Sequence, residues 1–206
     1  MAETRRLASM GFTDEKFPAG THMCLIYDNE DERRRIIGKY LAAGRKDHEK
    51  VSYFVDTMDS DDVVAWLRAM GVDVPRDGRS PEFLIASAAK TYCPGGKFVP
   101  SEMMGGLGAL YQGALDENYS GVRVSGEMSW ALRGIPGSDR LIEYESKVNT
   151  VFETSPIVAI CQYDSKRFSG AMILDVLRVH PMLIVEGRVA RNPYYMTPQD
   201  FQKSRS

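Results

Sequence analysis

The chain has 206 residues, a mass of 23.1 kDa and a composition of 43% hydrophobic and 26% charged residues, which argues against a disordered or fibrous protein. Its 26 basic and 28 acidic side chains nearly cancel, so there is no summed positive field to hold nucleic acid. The three cysteines are widely spaced, which favours reduced thiols in a cytoplasmic protein, and no apolar run has the length of a membrane span or the character of a signal peptide.

Short apolar runs alternate with helical patterns along the chain and predict a series of strand and helix units. The run from His22 to Tyr27 predicts a strand, and residues 30–45 follow with helical spacing and a cap at Asp28 or Asn29. The same unit recurs at 51–55 and 60–71, where a serine cap and a glycine stop bound the helix. The further predicted strands are 83–86, 121–125, 157–163, 182–185 and 188–190, and the further helices are 101–118, 138–152 and 169–179.

The alternation of apolar strands with helices indicates a parallel sheet covered on both faces. We therefore predict an α/β fold, a single three-layer domain with a mainly parallel central sheet. The stretch 89–100 contains Cys93-Pro-Gly-Gly-Lys97 and two prolines, so it is predicted to be the longest loop and to lack regular structure.

The first site candidates lie just after the strands, because parallel sheets bind ligands beyond the carboxyl ends of their strands. These candidates are Tyr27-Asp28, Asp56–Asp59, Gly126–Trp130 and Cys161–Asp164. Glu127 and Trp130 join a carboxylate to a large aromatic ring, which suits a small and partly apolar ligand. The alternative is structural, with Trp130 in the core and Glu127 capping a helix or paired with Arg123 or Arg133.

The thiols and histidines allow a second kind of site. His22 and Cys24 are two residues apart on one strand, so they face the same side and would share a metal or cofactor with Cys161 on a neighbouring strand. The alternative is a structural role in the core, which is commoner for such residues. Cys93 is predicted to be the most exposed thiol without being a nucleophile, and His180 to be a loop residue with no catalytic companion.

A nucleotide site of the usual kind is not expected. A nucleotide-binding sheet follows its first strand with a glycine-rich loop and a lysine. Here residues 28–34 contain no glycine and four carboxylates, which would repel phosphate. The arginines at 33–35 are interpreted as the solvated face of a helix, with an anion site as the alternative.

Several motifs, in order along the chain, carry a resemblance to a known family. They are Gly20-Thr-His-Met-Cys-Leu-Ile-Tyr27, Thr91-Tyr-Cys-Pro-Gly-Gly-Lys-Phe98, Gly126-Glu-Met-Ser-Trp-Ala-Leu-Arg-Gly134, and Cys161-Gln-Tyr163 followed by Phe168-Ser-Gly170. From about Phe17 to Phe201 the sequence resembles the MEDS domain, the methanogen and methylotroph sensory domain named after the DcmR repressor. The resemblance implies a degenerate RecA/KaiC-like fold without a functional P-loop, preceded by an extension at 1–16 and followed by a tail at 202–206.

The resemblance also implies a function. It implies a noncatalytic sensory domain for small organic molecules of the hydrocarbon-derivative class, with no identified cofactor. The expected partner is a regulatory protein, either a kinase, an anti-sigma factor or a DNA-binding protein, and a second copy of the chain is a further candidate; neither nucleic acid nor a membrane is expected to bind directly. The predicted ligand-binding residues are His22, Cys24, Tyr27, Tyr92, Glu127, Trp130, Cys161 and Tyr163.

Similarity to KaiC-like enzymes indicates which catalytic groups are missing. The carboxylate pair that ends the second strand in active relatives is replaced here by Thr57 and Met58. Glu127 falls roughly where their magnesium-binding acid lies, but without a phosphate cradle it has no nucleotide-bound metal to meet.

Three alternatives to the sensory hypothesis stay open. One is an enzyme or degenerate nucleotide-binding protein that uses Glu127 as a base, or Cys161 or Cys93 as a nucleophile. Another is a metal or cofactor sensor through His22, Cys24 and Cys161. The last is a protein-interaction scaffold, which would have a filled region around Trp130.

Overall fold

The computed structural model describes residues 5–205 and contains ten strands and seven α-helices. The strands are β1 (Leu7–Ser9), β2 (Lys16–Pro18), β3 (His22–Tyr27), β4 (Lys50–Val55), β5 (Arg79–Ser80), β6 (Phe83–Ser87), β7 (Val122–Glu127), β8 (Val158–Asp164), β9 (Met182–Val185) and β10 (Arg188–Arg191). The helices are α1 (Glu30–Lys46), α2 (Ser60–Ala69), α3 (Ala88–Tyr92), α4 (Pro100–Asp116), α5 (Leu141–Thr154), α6 (Gly170–Val179) and α7 (Pro198–Ser204). Among these residues, no helix combines the length and the apolar character that a membrane span needs.

Eight strands form the central sheet in the order β10-β9-β3-β8-β7-β4-β6-β5. The six strands from β9 to β6 pair in parallel, and only the short edge strands β10 and β5 are antiparallel. The predicted α/β fold with a mainly parallel sheet is therefore confirmed. The carboxyl ends of β3, β4, β7 and β8 meet at one edge.

Helices cover both faces of this sheet, and the sheet divides the hydrophobic core into two clusters. Alternate strand residues point to opposite faces, so Leu25, Tyr53 and Ile160 pack with α1 and α2, whereas Phe54 and Cys161 pack with α3 to α7. Helix α1 begins where predicted, because the Asn29 side chain accepts hydrogen bonds from the backbone N–H groups of Asp31 and Glu32.

Two local predictions are wrong. Helix α2 is preceded by Asp59 as its cap residue, and Ser60 is already helical. The stretch predicted to be irregular contains α3 and a turn of 3₁₀ helix at Pro94–Gly96. Helix α3 forms because the Ser87 hydroxyl caps the N–H of Lys90 and because Tyr92 is buried in the core.

The segment before β3 is part of the folded unit. Strands β1 and β2 form an antiparallel hairpin, and Ala8 and Met10 are fully buried against α1 and its neighbours. These residues belong to the extension predicted at 1–16, of which 1–4 lie outside the described residues. Helix α7 reaches into the predicted tail at 202–206, of which Ser206 lies outside them.

Close packing of α1 on β7 gives the first testable prediction. A Cβ on Gly44 would lie 2.6 Å from Cδ of Arg123 and 2.9 Å from Cγ2 of Val51, so we expect Gly44→Ala to lower the free energy of unfolding by about 1–3 kcal/mol. The control is Gly113→Ala in α4, where a Cβ meets no atom within 4 Å and the gain in helix propensity is about 0.5–1 kcal/mol. Urea denaturation of both variants measures the difference, and equal stabilities would contradict the packing.

Candidate functional site

Two buried polar clusters lie on opposite faces of the sheet. The first, here the acid–arginine cluster, consists of the buried Arg33, Tyr53, Glu127 and Gln162 with the exposed Thr57 at its rim, and it faces α1. The second, the histidine cluster, consists of His22, Glu145, Cys161 and His180 and faces α5 and α6. The third candidate site is an apolar groove under α4.

Glu127 is the centre of the acid–arginine cluster. Its Oε2 accepts hydrogen bonds of 2.8 Å from the backbone N–H groups of Asp56 and Thr57 and from the Thr57 hydroxyl. Its Oε1 accepts from the Tyr53 hydroxyl at 2.6 Å and from Nη1 of Arg33 at 3.0 Å. Both oxygens are thus fully used inside the protein.

Arg33 is fully buried, so its interpretation as part of a solvated helix face is wrong. Nη1 also donates to the Tyr53 hydroxyl at 2.7 Å and to Oε1 of Gln162 at 2.9 Å, and the other side of the guanidinium pairs with Glu30. Burial acts to lower the pKa of Arg33, but its hydrogen bonds to Glu30 and the charges of the nearby acidic groups outweigh it and raise that pKa. The guanidinium is therefore permanently charged and permanently paired.

A sequence signal for this burial exists. Arg33 lies on the helix face of Ile37 and Tyr40, at spacings of four and seven residues, whereas Arg34 lies at the margin of that face and Arg35 is exposed. Because Ile37 and Tyr40 pack against the sheet, Arg33 on the same helix face is buried there as well. The predicted partners of Glu127 are also wrong, because Arg123 pairs with Glu49 and Arg133 with Asp56.

This cluster lies at the carboxyl ends of the strands, where parallel sheets bind ligands. A phosphate would need an unpaired cation, and a phosphate-bound Mg²⁺ would need a free carboxylate oxygen. Arg33 and Glu127 neutralise each other, and the acidic first turn of α1 stands beside them. Thr57, predicted to replace a catalytic carboxylate, instead donates to Glu127.

Trp130 lies on the other side of the sheet and is fully buried. Its ring stacks on Tyr92 at a centroid distance of 5.0 Å and meets the Phe98 ring edge-on at 4.9 Å. The region around Trp130 is therefore filled, as the structural alternative and the scaffold hypothesis expected. Glu127 and Trp130 do not line one pocket, because they belong to clusters on opposite faces.

The apolar groove has a volume of about 360 Å³ and lies between α4 and the face of the sheet at β4 and β6. Its lining is Ser52, Phe54, Leu84, Thr91, Tyr92, Pro94, Glu102, Met103, Gly106, Leu107 and Leu110. Helix α4 is lightly held above it, since only Pro100, Leu107 and Ala114 of its residues are buried. The predicted ligand residue Tyr92 lines this groove, and its ring stacks on that of Trp130.

The histidine cluster joins residues that the sequence analysis treated apart. Nε2 of His22 lies 3.4 Å from Sγ of Cys161 and 3.2 Å from Oε2 of Glu145. That Oε2 is 3.4 Å from Nε2 of His180 and 3.5 Å from Sγ of Cys161. Tyr163 supports the cluster by donating its hydroxyl to Oε1 of Glu145 at 3.0 Å.

Two members of this cluster, Glu145 and His180, were missed. His180 was expected to be a loop residue without a companion, but it is fully buried, with its ring 4.3 Å from that of His22. His180 lies beside His22 because β9, which follows His180 in the chain, pairs with β3, the strand that contains His22. Cys24 pairs in register with Cys161, yet its sulfur is directed at the carbonyl of Met182 and is not part of the cluster.

Burial and the neighbouring side chains together set the protonation of the cluster. Burial acts to raise the pKa of Glu145, but the adjacent imidazoles of His180 and His22 outweigh it and hold that pKa below its ordinary value. Burial also lowers the pKa of His22 and raises that of Cys161 well above its usual range. A neutral and inaccessible thiol is a poor nucleophile.

The remaining predicted residues lie apart from one another. Cys93 is buried, with its pKa raised by burial, so the prediction of an exposed thiol is wrong. Tyr27 is half-buried, and its ring lies 5.4 Å from the guanidinium of Arg33. With Cys24 it lines a second groove of about 270 Å³ beside β9. The eight predicted ligand residues therefore do not form one pocket.

Comparison with known proteins places this geometry in context. The family model for the methanogen/methylotroph, DcmR sensory domain (MEDS) matches residues 21–181. The transcriptional repressor DcmR of Methylorubrum extorquens is 26% identical over 163 residues, which cover 77% of this chain and 57% of the repressor. The chain thus spans little more than half the length of that relative.

Two solved structures show the same fold. A KaiC-like protein from the hyperthermophilic archaeon Pyrococcus horikoshii superposes with a TM-score of 0.63 at 14% identity, covering 87% of this chain and 80% of that one. The flagellar accessory protein FlaH of Methanocaldococcus jannaschii superposes with a TM-score of 0.58 at 12% identity, covering 88% and 81%. The expected RecA/KaiC-like architecture is confirmed.

The acid–arginine cluster gives the second prediction. Replacing Glu127 by Ala removes one of the two carboxylates that pair with the buried Arg33 guanidinium and leaves the Tyr53 hydroxyl and two backbone amides without their acceptor, so we expect a loss of about 3–5 kcal/mol in the free energy of unfolding. The double variant Arg33→Met/Glu127→Leu should regain part of that loss, because it removes both charges. Lys147→Ala, which breaks an exposed pair with Glu143, is the control and should cost less than about 1 kcal/mol. Guanidinium denaturation distinguishes these outcomes, and a Glu127→Ala variant as stable as the control would contradict the cluster.

Proposed function

The chain belongs to the MEDS family, and from that premise we propose that it is a noncatalytic sensory domain. In this proposal it binds a small organic molecule of the hydrocarbon-derivative class and relays the signal to a regulatory protein. We propose residues 17–201 as the sensory unit, which contains the family match at 21–181, with strand β1 before it packed on α1. The three cysteines are free and buried, which supports a cytoplasmic location.

The pairing of Arg33 with Glu127 is the observation that carries the proposal. The pair joins an arginine of α1 to the carboxylate that ends β7, at the strand ends where a nucleotide would bind. A nucleotide would have to break a buried ion pair and also accept the acidic first turn of α1. The scaffold is therefore better suited to binding on its other face than to phosphate chemistry.

The groove under α4 is the proposed ligand site. Its volume of about 360 Å³ is at the small end of the range for ligand pockets, and its lining is mainly aliphatic and aromatic. Glu102, Thr91 and Ser52 provide a few polar groups at its margin. Such a site favours a small, weakly polar molecule over a charged one.

Helix α4 is the proposed relay. It carries glycines at 105, 106, 108 and 113, and a Cβ at any of these would meet no atom within 4 Å, so the glycines are not there for close packing. Each weakens the helix relative to alanine by about 1 kcal/mol. A ligand that packs under α4 would favour one position of the helix by its differential affinity, and a regulatory protein would read that position.

The third prediction concerns nucleotides. We expect millimolar ATP with Mg²⁺ to leave the melting temperature unchanged and to undergo no hydrolysis, because Arg33 and Glu127 are committed to each other. Differential scanning fluorimetry and a phosphate-release assay measure the two quantities. A thermal shift that grows with ATP concentration, or turnover that is lost in Glu127→Gln, would overturn the noncatalytic assignment.

The fourth prediction concerns the groove. A panel of short-chain alcohols, ketones and halogenated hydrocarbons should include compounds that raise the melting temperature of the wild-type chain. At a hundredfold excess over Kd the stabilisation is about 2.7 kcal/mol, equivalent to about 5–10 °C for a chain of this size. Gly106→Leu fills the groove and should abolish the shift.

The matched control is Gly105→Leu, one residue away on the same helix and outside the groove lining. It makes the same change in helix propensity and should keep the full thermal shift. Native mass spectrometry of both variants with the active compounds checks stoichiometry. Loss of the shift in both variants, or in neither, would place the ligand elsewhere.

A further inference from the structure

The histidine cluster has the dimensions of a metal site. One donor atom from each of His22, Glu145, Cys161 and His180 lies within 4.8 Å of all the others. The four separations between nearest donors are 3.2, 3.4, 3.4 and 3.5 Å. A tetrahedral ion with ligand distances of about 2.0–2.3 Å has six ligand-to-ligand edges of about 3.3–3.8 Å. Four of the six donor separations are thus close to such an edge, and the other two are at most 4.8 Å.

The hydrogen bonds of His22 direct a lone pair into the cluster. Nδ1 of His22 is 3.0 Å from Oδ1 of Asn149. The amide orientation is fixed, because Nδ2 of Asn149 donates to the backbone carbonyls of Glu145, Ser146 and Val179. Oδ1 must then accept, so the proton of the neutral imidazole is on Nδ1 and Nε2 is the free acceptor.

The same argument applies to His180. Its Nδ1 is 2.8 Å from the backbone carbonyl of Val176, which can only accept, so Nδ1 carries the proton. Nε2 therefore presents a lone pair, and it makes no hydrogen bond although it is fully buried. The backbone of His180 is itself held by the Asn192 side chain, which donates to its carbonyl at 2.7 Å.

Three acceptors thus converge on one buried point. Two imidazole lone pairs and a carboxylate oxygen face one another beside the Cys161 sulfur, where a cation would satisfy all of them at once. The outward hydrogen bonds of both imidazoles and of Glu145, to Asn149, Val176 and Tyr163, match the outer-shell contacts that orient metal ligands.

We propose that His22, Glu145, Cys161 and His180 form a tetrahedral Zn²⁺ site. Two imidazoles, a carboxylate and a thiolate are ligands that zinc accepts, and Cys161 would lose its proton on binding. All four ligands come from the protein and all are buried, which is the pattern of a closed structural centre rather than a catalytic one. The ion would join β3, β8, α5 and the residue that leads into β9.

This site is independent of the proposed ligand groove. None of its four ligands lines that groove, and the acid–arginine cluster is on the opposite face. The assignment also differs from the expected set of His22, Cys24 and Cys161, because the Cys24 sulfur is directed at a backbone carbonyl.

The first test uses the wild-type chain and cobalt. The protein is unfolded in guanidinium with a chelator, freed of both, and refolded with either Co²⁺ or Zn²⁺. We expect one bound ion per chain by elemental analysis. The cobalt form should show a thiolate-to-cobalt charge-transfer band in the near ultraviolet and the intense visible bands of tetrahedral Co²⁺, and Zn²⁺ should displace them.

The second test uses matched variants. Cys161→Ala should lose the charge-transfer band, and His180→Ala should reduce metal retention at least about tenfold, in line with the loss of a ligand. Cys24→Ala, a buried cysteine paired in register with Cys161, should keep the band and the full stoichiometry.

The wild-type spectrum decides the question even where a variant fails to fold. A wild-type chain that refolds without retaining Zn²⁺ or Co²⁺ would overturn the proposal and leave the cluster as a protonated hydrogen-bond network. Bound cobalt without a thiolate band, or a band that disappears in Cys24→Ala and persists in Cys161→Ala, would overturn it as well.

Discussion

The buried ion pair between Arg33 and Glu127 is the interaction on which the rest of this structure depends. It connects α1 with β4 and β7 at the edge where the strands of this fold end, and two backbone amides complete the carboxylate's environment. Because an uncompensated charge in that position is costly, the two residues hold each other in place. These two charges are thereby paired with each other inside the protein, so neither is free to bind a phosphate.

The central sheet separates the charged groups on its α1 face from the candidate binding features on its opposite face. On the α1 face, charged groups are paired and closed, whereas the opposite face holds an apolar groove, an aromatic stack around Trp130 and a set of converging metal-type donors. The charged pair and the apolar groove thus lie on opposite faces of one sheet. The shared fold determines the positions of the strands and helices, whereas the side chains on each face determine what that face can bind.

The sequence predicted the elements well and the clusters poorly, for a physical reason. Strands and helices follow from local periodicity, so β3, α1, β4 and β8 lie within one or two residues of their predicted bounds. Arg33, Glu145 and His180 acquire their roles from contacts between distant segments. His180 meets His22 because β9 pairs with β3, and no local pattern specifies that pairing. The helical face shared by Arg33 and Ile37 is the one signal that was available.

The hairpin of β1 and β2 bears on where this family's folding unit starts. Ala8 and Met10 are covered completely by α1 and its surroundings, and the backbone at Gly11 comes so close to α1 that a Cβ there would lie 2.3 Å from the carbonyl oxygen of Lys39. A fragment of this chain that begins at residue 21, where the family match starts, would uncover this patch of α1. The segment that completes the core therefore lies partly before the matched residues, and its removal would leave an exposed apolar surface.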